Sequence, residues 1–184
     1  RTLVRQNRFD EAVEYLRQAL AVQERVYGLV HPAVASAVNE LGSVALQRDH
    51  LDEAAAAFTR MGEIYRQVFK GKHFLIGVAG SNLGSVYTAR KDYPRAEALY
   101  RDAIVMFSET QSPTHVNVGI ARLKLGRTLL RQQRFTEAEP EILAGLEILM
   151  KQTSPSVTWV KNGREDLVSL YEQTKQPEKA ARYR

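Results

Sequence analysis

The chain has 184 residues, of which 44% are hydrophobic and 26% charged, a balance that excludes a disordered tail. It contains no cysteine, which excludes a disulfide framework, a thiolate zinc site and a cysteine nucleophile. The net charge of +5 favours acidic partners, but the basic residues are scattered, and no apolar run reaches the roughly 18 residues that cross a membrane.

Two short motifs recur along the chain at a spacing of 42 residues. The first is a Leu-Gly pair, whose glycines are Gly42, Gly84 and Gly126. The second ends in an alanine, which is found at Ala12, Ala54, Ala96, Ala138 and Ala180. Because the copies keep the same register, the chain is built from structural repeats.

Each repeat is predicted to contain two helices, because its apolar residues fall at spacings of three and four. Short polar turns at 48–50, 90–92 and 132–134 predict antiparallel hairpins. In chain order we predict an opening helix remnant at 1–6 and helices at 8–27, 32–48, 51–70, 74–90, 93–110, 116–132, 135–152, 157–174 and 177–184.

The predicted domain organisation is a single array over residues 1–184, with partial units at both ends. The units are expected at 1–31, 32–73, 74–115, 116–156 and 157–184. Since the sequence starts at Arg1 and both ends fall within a unit, we expect a fragment of a larger protein. The repeated glycines predict close helix contacts, with Ala54, Ala96 and Ala138 as the facing residues.

The pattern of small and aromatic residues within a unit resembles the tetratricopeptide repeat, whose usual unit of about 34 residues is a helix-turn-helix. The residues that carry the resemblance are Leu83, Gly84, Tyr87, Ala96, Tyr100 and Ala103. The longer spacing, with His31 and Pro32 entering the unit, is similar to the subclass of kinesin light chains and many bacterial multidomain proteins. The resemblance implies an all-α fold, a right-handed α-α superhelix of antiparallel helix hairpins, whose first helices line a concave groove.

Histidines and paired carboxylates often bind metals or act in catalysis, but here we predict structural roles for them. His31, His73 and His115 recur in successive units, which are about 8–10 Å apart, too far for one metal ion to be shared. We place them in the loop before each first helix. The acidic pair Asp52 and Glu53 falls at a helix start, where it complements the helix dipole. We therefore predict no metal, no cofactor and no enzyme activity.

The resemblance places the candidate partner-binding residues on the first helices, on the faces that point into the groove. They are Asn39, Ser43, Gln47, Asn82, Ser85, Lys124, Arg127 and Arg131. The two asparagine amides can each donate and accept, and so bind an extended peptide backbone. Alternatively, they bridge adjacent first helices.

A basic stripe is formed by Lys124, Arg127 and Arg131, which are spaced i, i+3 and i+7 on one helix. Such a stripe takes a carboxylate, a phosphate or an acidic peptide through charge-assisted hydrogen bonds. Alternatively, acidic residues of the next first helix neutralise it, namely Glu165, Asp166 and Glu172.

The favoured function is a protein-protein interaction scaffold, a regulatory or recruitment module that binds a protein or peptide segment, for which an acidic one fits best. One alternative is nucleic-acid binding through the positive charge, although the tyrosines fall mostly on the buried stripes and form no base-stacking platform. Another alternative is self-association through the open ends of the array. We expect a cytoplasmic protein with no membrane contact.

Overall fold

The computed structural model describes residues 9–184, and within that range all regular structure is α-helical, as predicted. In chain order the helices are α1 (Phe9–Tyr27), α2 (Pro32–Gln47), α3 (Leu51–Val68), α4 (Phe74–Ala89), α5 (Tyr93–Thr110), α6 (Val116–Arg131), α7 (Phe135–Met150), α8 (Val157–Gln173) and α9 (Pro177–Ala181). Each end differs from its predicted position by at most three residues. The predicted remnant at 1–6 lies outside the described residues. None of the described helices is long and apolar enough to span a membrane.

The chain divides into two compact units, Arg1–Lys91 and Asp92–Arg184. In the first unit α1 packs on α2, α2 on α3 and α3 on α4, so that neighbours in sequence are neighbours in space. The buried residues of its core include Val34, Val38, Phe58, Met61, Ile64, Tyr65 and Val86. Each large apolar side chain buried in this way contributes about 1.5–3 kcal/mol.

The second unit follows the same order. Helix α5 packs on α6, α6 on α7, α7 on α8 and α8 on α9, and α6 also contacts α8. The fully buried large side chains here are Tyr100, Leu123, Leu125, Leu129, Ile142, Leu149, Leu167 and Leu170. The division into 42-residue repeats remains a prediction, but each unit shows the sequential helix packing that such repeats require.

The glycines of the Leu-Gly pairs allow helices to approach closely. A Cβ on Gly126 would overlap Cγ1 of Ile142 and lie 3.2 Å from the carbonyl oxygen of Ala138. A Cβ on Gly42 would lie 2.8 Å from Cε1 of Phe58. The nearest residues are therefore Ile142 at Gly126 and Phe58 at Gly42, which are equivalent positions of the repeat, and Ala138 also lies close to Gly126. The facing roles of Ala54 and Ala96 stay predictions.

The turns within the hairpins share one backbone feature. Their central residues have φ near +60°, the left-handed region that favours glycine, yet none is glycine: Asp49, Lys91, Gln133 and Lys175. At the third turn the Gln133 N–H donates to the Leu130 carbonyl at 2.9 Å, and the Arg134 N–H donates to the Leu129 carbonyl at 3.0 Å. This pair of bonds is a Schellman motif, which ends a helix and reverses the chain.

The three repeated histidines lie before first helices, as predicted, and each caps the helix that follows. Nδ1 of His31, His73 and His115 accepts a hydrogen bond from the backbone N–H two residues later, at 3.1, 3.2 and 3.1 Å. These bonds satisfy one of the free N–H groups at each helix start. Across residues 9–184, no group of three His, Asp or Glu side chains is arranged to hold a metal ion.

Candidate partner-binding site

In the first unit the two candidate asparagines contact each other. Nδ2 of Asn82 on α4 donates to Oδ1 of Asn39 on α2 at 2.8 Å. The amides therefore bridge adjacent first helices, which is one of the two roles considered for them. The bond uses one donor of Asn82 and one acceptor of Asn39, so the Asn39 amide nitrogen and the Asn82 carbonyl keep further hydrogen-bonding capacity.

The candidate serines of this unit are turned toward their own helices. The Ser43 hydroxyl donates to the Asn39 carbonyl at 2.8 Å, and the Ser85 hydroxyl donates to the Ser81 carbonyl at 3.1 Å. Both serines are half-buried, whereas Gln47, the last residue of α2, is exposed. Gln47 is thus the most accessible of the candidate side chains in the first unit.

In the second unit Arg127 on α6 forms a two-point ion pair with Asp166 on α8. Its Nε lies 3.1 and 2.9 Å from the two carboxylate oxygens, and a terminal nitrogen lies 2.9 Å from Oδ2. Burial raises the pKa of Asp166, although the hydrogen bond and charge of Arg127 act in the opposite direction. Of the acidic residues considered, Asp166 therefore neutralises the middle of the basic stripe.

The other two acidic residues considered pair elsewhere. Glu165 lies 3.8 Å from Lys161, and Glu172 lies 2.7 Å from Arg184. Both of these pairs are largely exposed to solvent and contribute little to stability. The neutralisation of the basic stripe is therefore partial.

Lys124 is half-buried between two aromatic rings. Its Nζ lies 6.0 Å from the ring centre of Tyr100 on α5 and 5.8 Å from that of Trp159 on α8, both within cation–π range. Burial, with a smaller contribution from the charge of Arg127, lowers the pKa of Lys124 to about 8. The i, i+3, i+7 spacing predicts the basic stripe but not these rings, because Tyr100 and Trp159 belong to two other helices.

Arg131, the last residue of α6, is the exposed member of the stripe. No carboxylate of residues 9–184 lies within ion-pair distance of it. It borders a polar depression of about 440 Å³ between α6 and α8. The other polar residues around this depression are Arg127, Gln133, Asn162, Glu165, Asp166, Ser169 and Gln173. A partner side chain can therefore reach Arg131 without first breaking an ion pair.

The sequence profile of the tetratricopeptide repeat family matches residues 1–72 and 75–151. No curated protein sequence matches the chain. The match identifies a repeat scaffold and no catalytic domain.

Solved structures show the same fold at low sequence identity. BtubC (BKLC) from P. vanneervenii superposes with a TM-score of 0.83 at 16% identity, over 98% of this chain and 72% of that one. The nearly identical TPR-like repeats of a Podospora anserina protein described as a kinesin light chain give 0.76 at 18% identity, over 100% and 87%. The apo form of RapI gives 0.81 at 13% identity, over 99% and 64%. With its paired helices and its profile match, the chain belongs to the tetratricopeptide repeat family.

Proposed function

We propose that the chain is a scaffold that holds a segment of another protein against its first helices, as a regulatory or recruitment module of a larger protein. Members of the tetratricopeptide repeat family are generally protein-protein interaction modules. The observation that carries the proposal is the exposed guanidinium of Arg131 beside the polar depression between α6 and α8. A rigid helical scaffold presents such groups in a fixed arrangement, which lowers the entropic cost of binding.

The basic stripe favours a partner segment that carries carboxylates. Arg131 offers a planar guanidinium to a carboxylate, and charge-assisted hydrogen bonds of this kind are stronger than neutral ones. The charges of Lys124 and Arg127 lie on the same helix, and Asp166 offsets only one of them. Amide and hydroxyl groups around the depression, on Asn162, Ser169 and Gln173, supply further hydrogen bonds.

The first unit supports the same function through a different chemistry. The bond between Asn39 and Asn82 fixes both amides on adjacent first helices. Their remaining hydrogen-bonding groups, with the exposed Gln47, suit the alternating donors and acceptors of an extended backbone. We therefore propose that this unit contributes backbone contacts and the second unit contributes charge recognition.

The test measures binding of a fluorescein-labelled oligoglutamate peptide by fluorescence anisotropy at low salt, with an oligolysine peptide as a negative probe. We expect Arg131→Glu to weaken oligoglutamate binding by about tenfold or more. The matched control is Arg66→Glu, which makes the same charge change at an exposed position of the second helix α3. Equal weakening by both substitutions, or tighter binding of an oligoribonucleotide than of oligoglutamate, would contradict the proposal.

A further inference from the structure

The loop between α1 and α2 presents two adjacent aliphatic side chains to solvent. Leu29 is 64% exposed and Val30 is 46% exposed, although both are apolar. Single exposed apolar residues are scattered over most protein surfaces, whereas adjacent ones mark interaction sites. The pair is therefore a candidate contact with another molecule.

The exposure of this pair belongs to its position in the repeat. The residues at the corresponding positions one and two repeats later are also exposed, namely Gly71, Lys72, Pro113 and Thr114. Both of these later loops have described helices before and after them. The position is therefore open to solvent in complete repeats as well.

The fold does not require apolar side chains at these positions. An apolar residue directly before a helix cap can pack on the first turn of the helix, and Val30 precedes the cap His31. The equivalent residues Lys72 and Thr114 are polar, yet the helices after them begin with the same histidine cap. Packing on the helix start therefore does not account for the apolar loop.

A second loop of the first unit lies on the same edge. Residues 69–73 join α3 to α4, as residues 28–31 join α1 to α2. The hydrogen bond between Asn39 and Asn82 joins these first helices about two turns from the start of each. The two helix starts, and the loops before them, are therefore neighbours on one edge. We call residues 25–31 and 66–73 the loop edge.

Basic residues surround the apolar pair on the loop edge. Arg25 and Arg66 lie in the last turns of α1 and α3, and Lys70 lies in the second loop. All three are exposed, and no carboxylate of the described residues lies within ion-pair distance of them. A cation in a last turn also complements the helix dipole, but Lys70 lies outside the helix. These charges are therefore available to an anionic surface.

Acidic residues are absent from this part of the first unit. The segments 25–39 and 64–91 contain no Asp or Glu. Glu24, which directly precedes the first segment, pairs with Arg60 on α3, so its charge is offset within the fold. The loop edge therefore combines an apolar pair with a local excess of positive charge.

We propose that the loop edge docks on the surface of an anionic lipid bilayer. Leu29 and Val30 enter the headgroup region, and the basic residues beside them contact the acidic headgroups. A protruding apolar loop fits a deformable lipid surface, which needs no complementary pocket. The expectation of no membrane contact rested on the lack of a spanning apolar run, and a surface contact does not need one.

The first experiment is cosedimentation with large vesicles of phosphatidylcholine that contain about 30% phosphatidylserine, at about 100 mM salt. We expect the chain to bind these acidic vesicles, and to bind vesicles of phosphatidylcholine alone at least about tenfold more weakly. Leu29→Ser with Val30→Ser, and separately Arg25→Glu with Lys70→Glu, should each weaken binding to the acidic vesicles about tenfold or more. All four residues are exposed, so each variant should keep the helical circular dichroism of the unmodified chain.

The matched control is Lys91→Glu with Lys175→Glu. It makes the same change in net charge as the loop-edge charge variant, but at exposed turns within the hairpins, at the other end of the helices. This control should retain most of the binding to acidic vesicles. Arg131→Glu should retain it too, and the serine variant should still bind oligoglutamate, so this proposal and the proposed partner-binding function can fail separately.

A second experiment reports insertion directly. The chain has no cysteine, so Leu29→Cys provides a single thiol for an environment-sensitive nitrobenzoxadiazole dye. The emission of this dye should shift to shorter wavelength on acidic vesicles, whereas the same dye on Lys91→Cys should not shift. The proposal would be overturned by an unshifted dye at Leu29, by equal losses in the hairpin-turn control, or by failure to bind either vesicle, which would leave a protein as the occupant of the loop edge.

Discussion

Arg127 and Asp166 join the first helices α6 and α8 through two hydrogen bonds, across 39 residues of sequence. The side chain of Asp166 is 14% exposed and that of Arg127 is 30% exposed, so water screens this pair less than a surface pair. The ion pair also forms one wall of the polar depression that Arg131 borders. It therefore contributes to the stability of the second unit and to the shape of the candidate site.

Replacement of Asp166 by alanine is predicted to lower the free energy of unfolding by about 1.5–3 kcal/mol, because Arg127 loses charged hydrogen bonds in a half-buried place. Urea denaturation followed by circular dichroism measures the change. Lys151→Ala is the comparison, since it breaks an exposed pair with Glu147 and should produce no resolvable change. Similar effects of the two substitutions would show that the Arg127 pair is no stronger than a surface pair.

Lys124 should make stability depend on pH. Its pKa in the folded protein, about 8, lies below the ordinary value of 10.5, so the unfolded chain binds more protons between these pH values and stability rises with pH. At pH 7 the charged amine is unfavourable in the fold. We therefore expect Lys124→Met to be more stable than the unmodified chain at pH 7, with the difference shrinking as the pH rises through this window.

Urea midpoints at a series of pH values test this expectation. The control is Lys124→Arg, which keeps a positive charge throughout and should lose stability relative to the unmodified chain as the pH rises. The lowered pKa of Lys124 would be refuted if the stability difference between Lys124→Met and the unmodified chain stayed constant across this pH range.

Two glycines should respond to the same substitution with opposite signs. Gly126→Ala places a methyl group against Ile142 and should cost on the order of 1–3 kcal/mol, because α6 and α7 must move apart. Gly80→Ala in α4 places a methyl group that meets no atom within 4 Å beyond the adjoining backbone of its own helix, and it should stabilise the fold by about 1 kcal/mol through helix propensity. Thermal unfolding of both variants measures the two shifts, and a loss at Gly80 or a gain at Gly126 would contradict the described packing.

Replacement of Gln133, the left-handed residue of its turn, by glycine should raise the stability of the second unit. Its φ of +60° is costly for a residue with a Cβ, so we expect Gln133→Gly to stabilise the second unit by about 0.5–1 kcal/mol. The neighbouring Gln132 has φ of −87°, and glycine there relieves no strain. Gln132→Gly should therefore destabilise, and chemical denaturation of both variants in parallel distinguishes the conformational effect from a general effect of glycine.

The helices could be predicted because their signals are local. Spacings of three and four residues, polar turns and a 42-residue register are all visible in the sequence alone, and for the helices of residues 9–184 each predicted end lies within three residues of its position in the structure. The residues nearest the glycines were predicted less well, because Phe58 lies nearest Gly42 and Ile142 nearest Gly126. Which side chain of the second helix meets a glycine depends on side-chain size and direction, and the repeat spacing alone does not contain that information.

The candidate site could be predicted only in part. From the sequence, three acidic residues of α8 could pair with the basic stripe, and Asp166 is the one that does. Which of them pairs with Arg127 depends on which side chain points toward α6. Lys124 lies between Tyr100 and Trp159, and the three residues belong to three different helices. Such a contact cannot be read from the spacing of residues along one helix. Whether the candidate residues bind a partner remains a prediction.

The four left-handed turn residues make the chain convenient to label. Asp49, Lys91, Gln133 and Lys175 are all exposed, and the turn at Gln133 is held by main-chain hydrogen bonds that its side chain does not make. The chain has no cysteine, so one cysteine introduced at such a turn would be its only thiol. A pair of cysteines that replace Gln133 and Lys175, 42 residues apart, would carry two dyes whose distance reports changes between successive hairpin turns of the second unit when a partner binds.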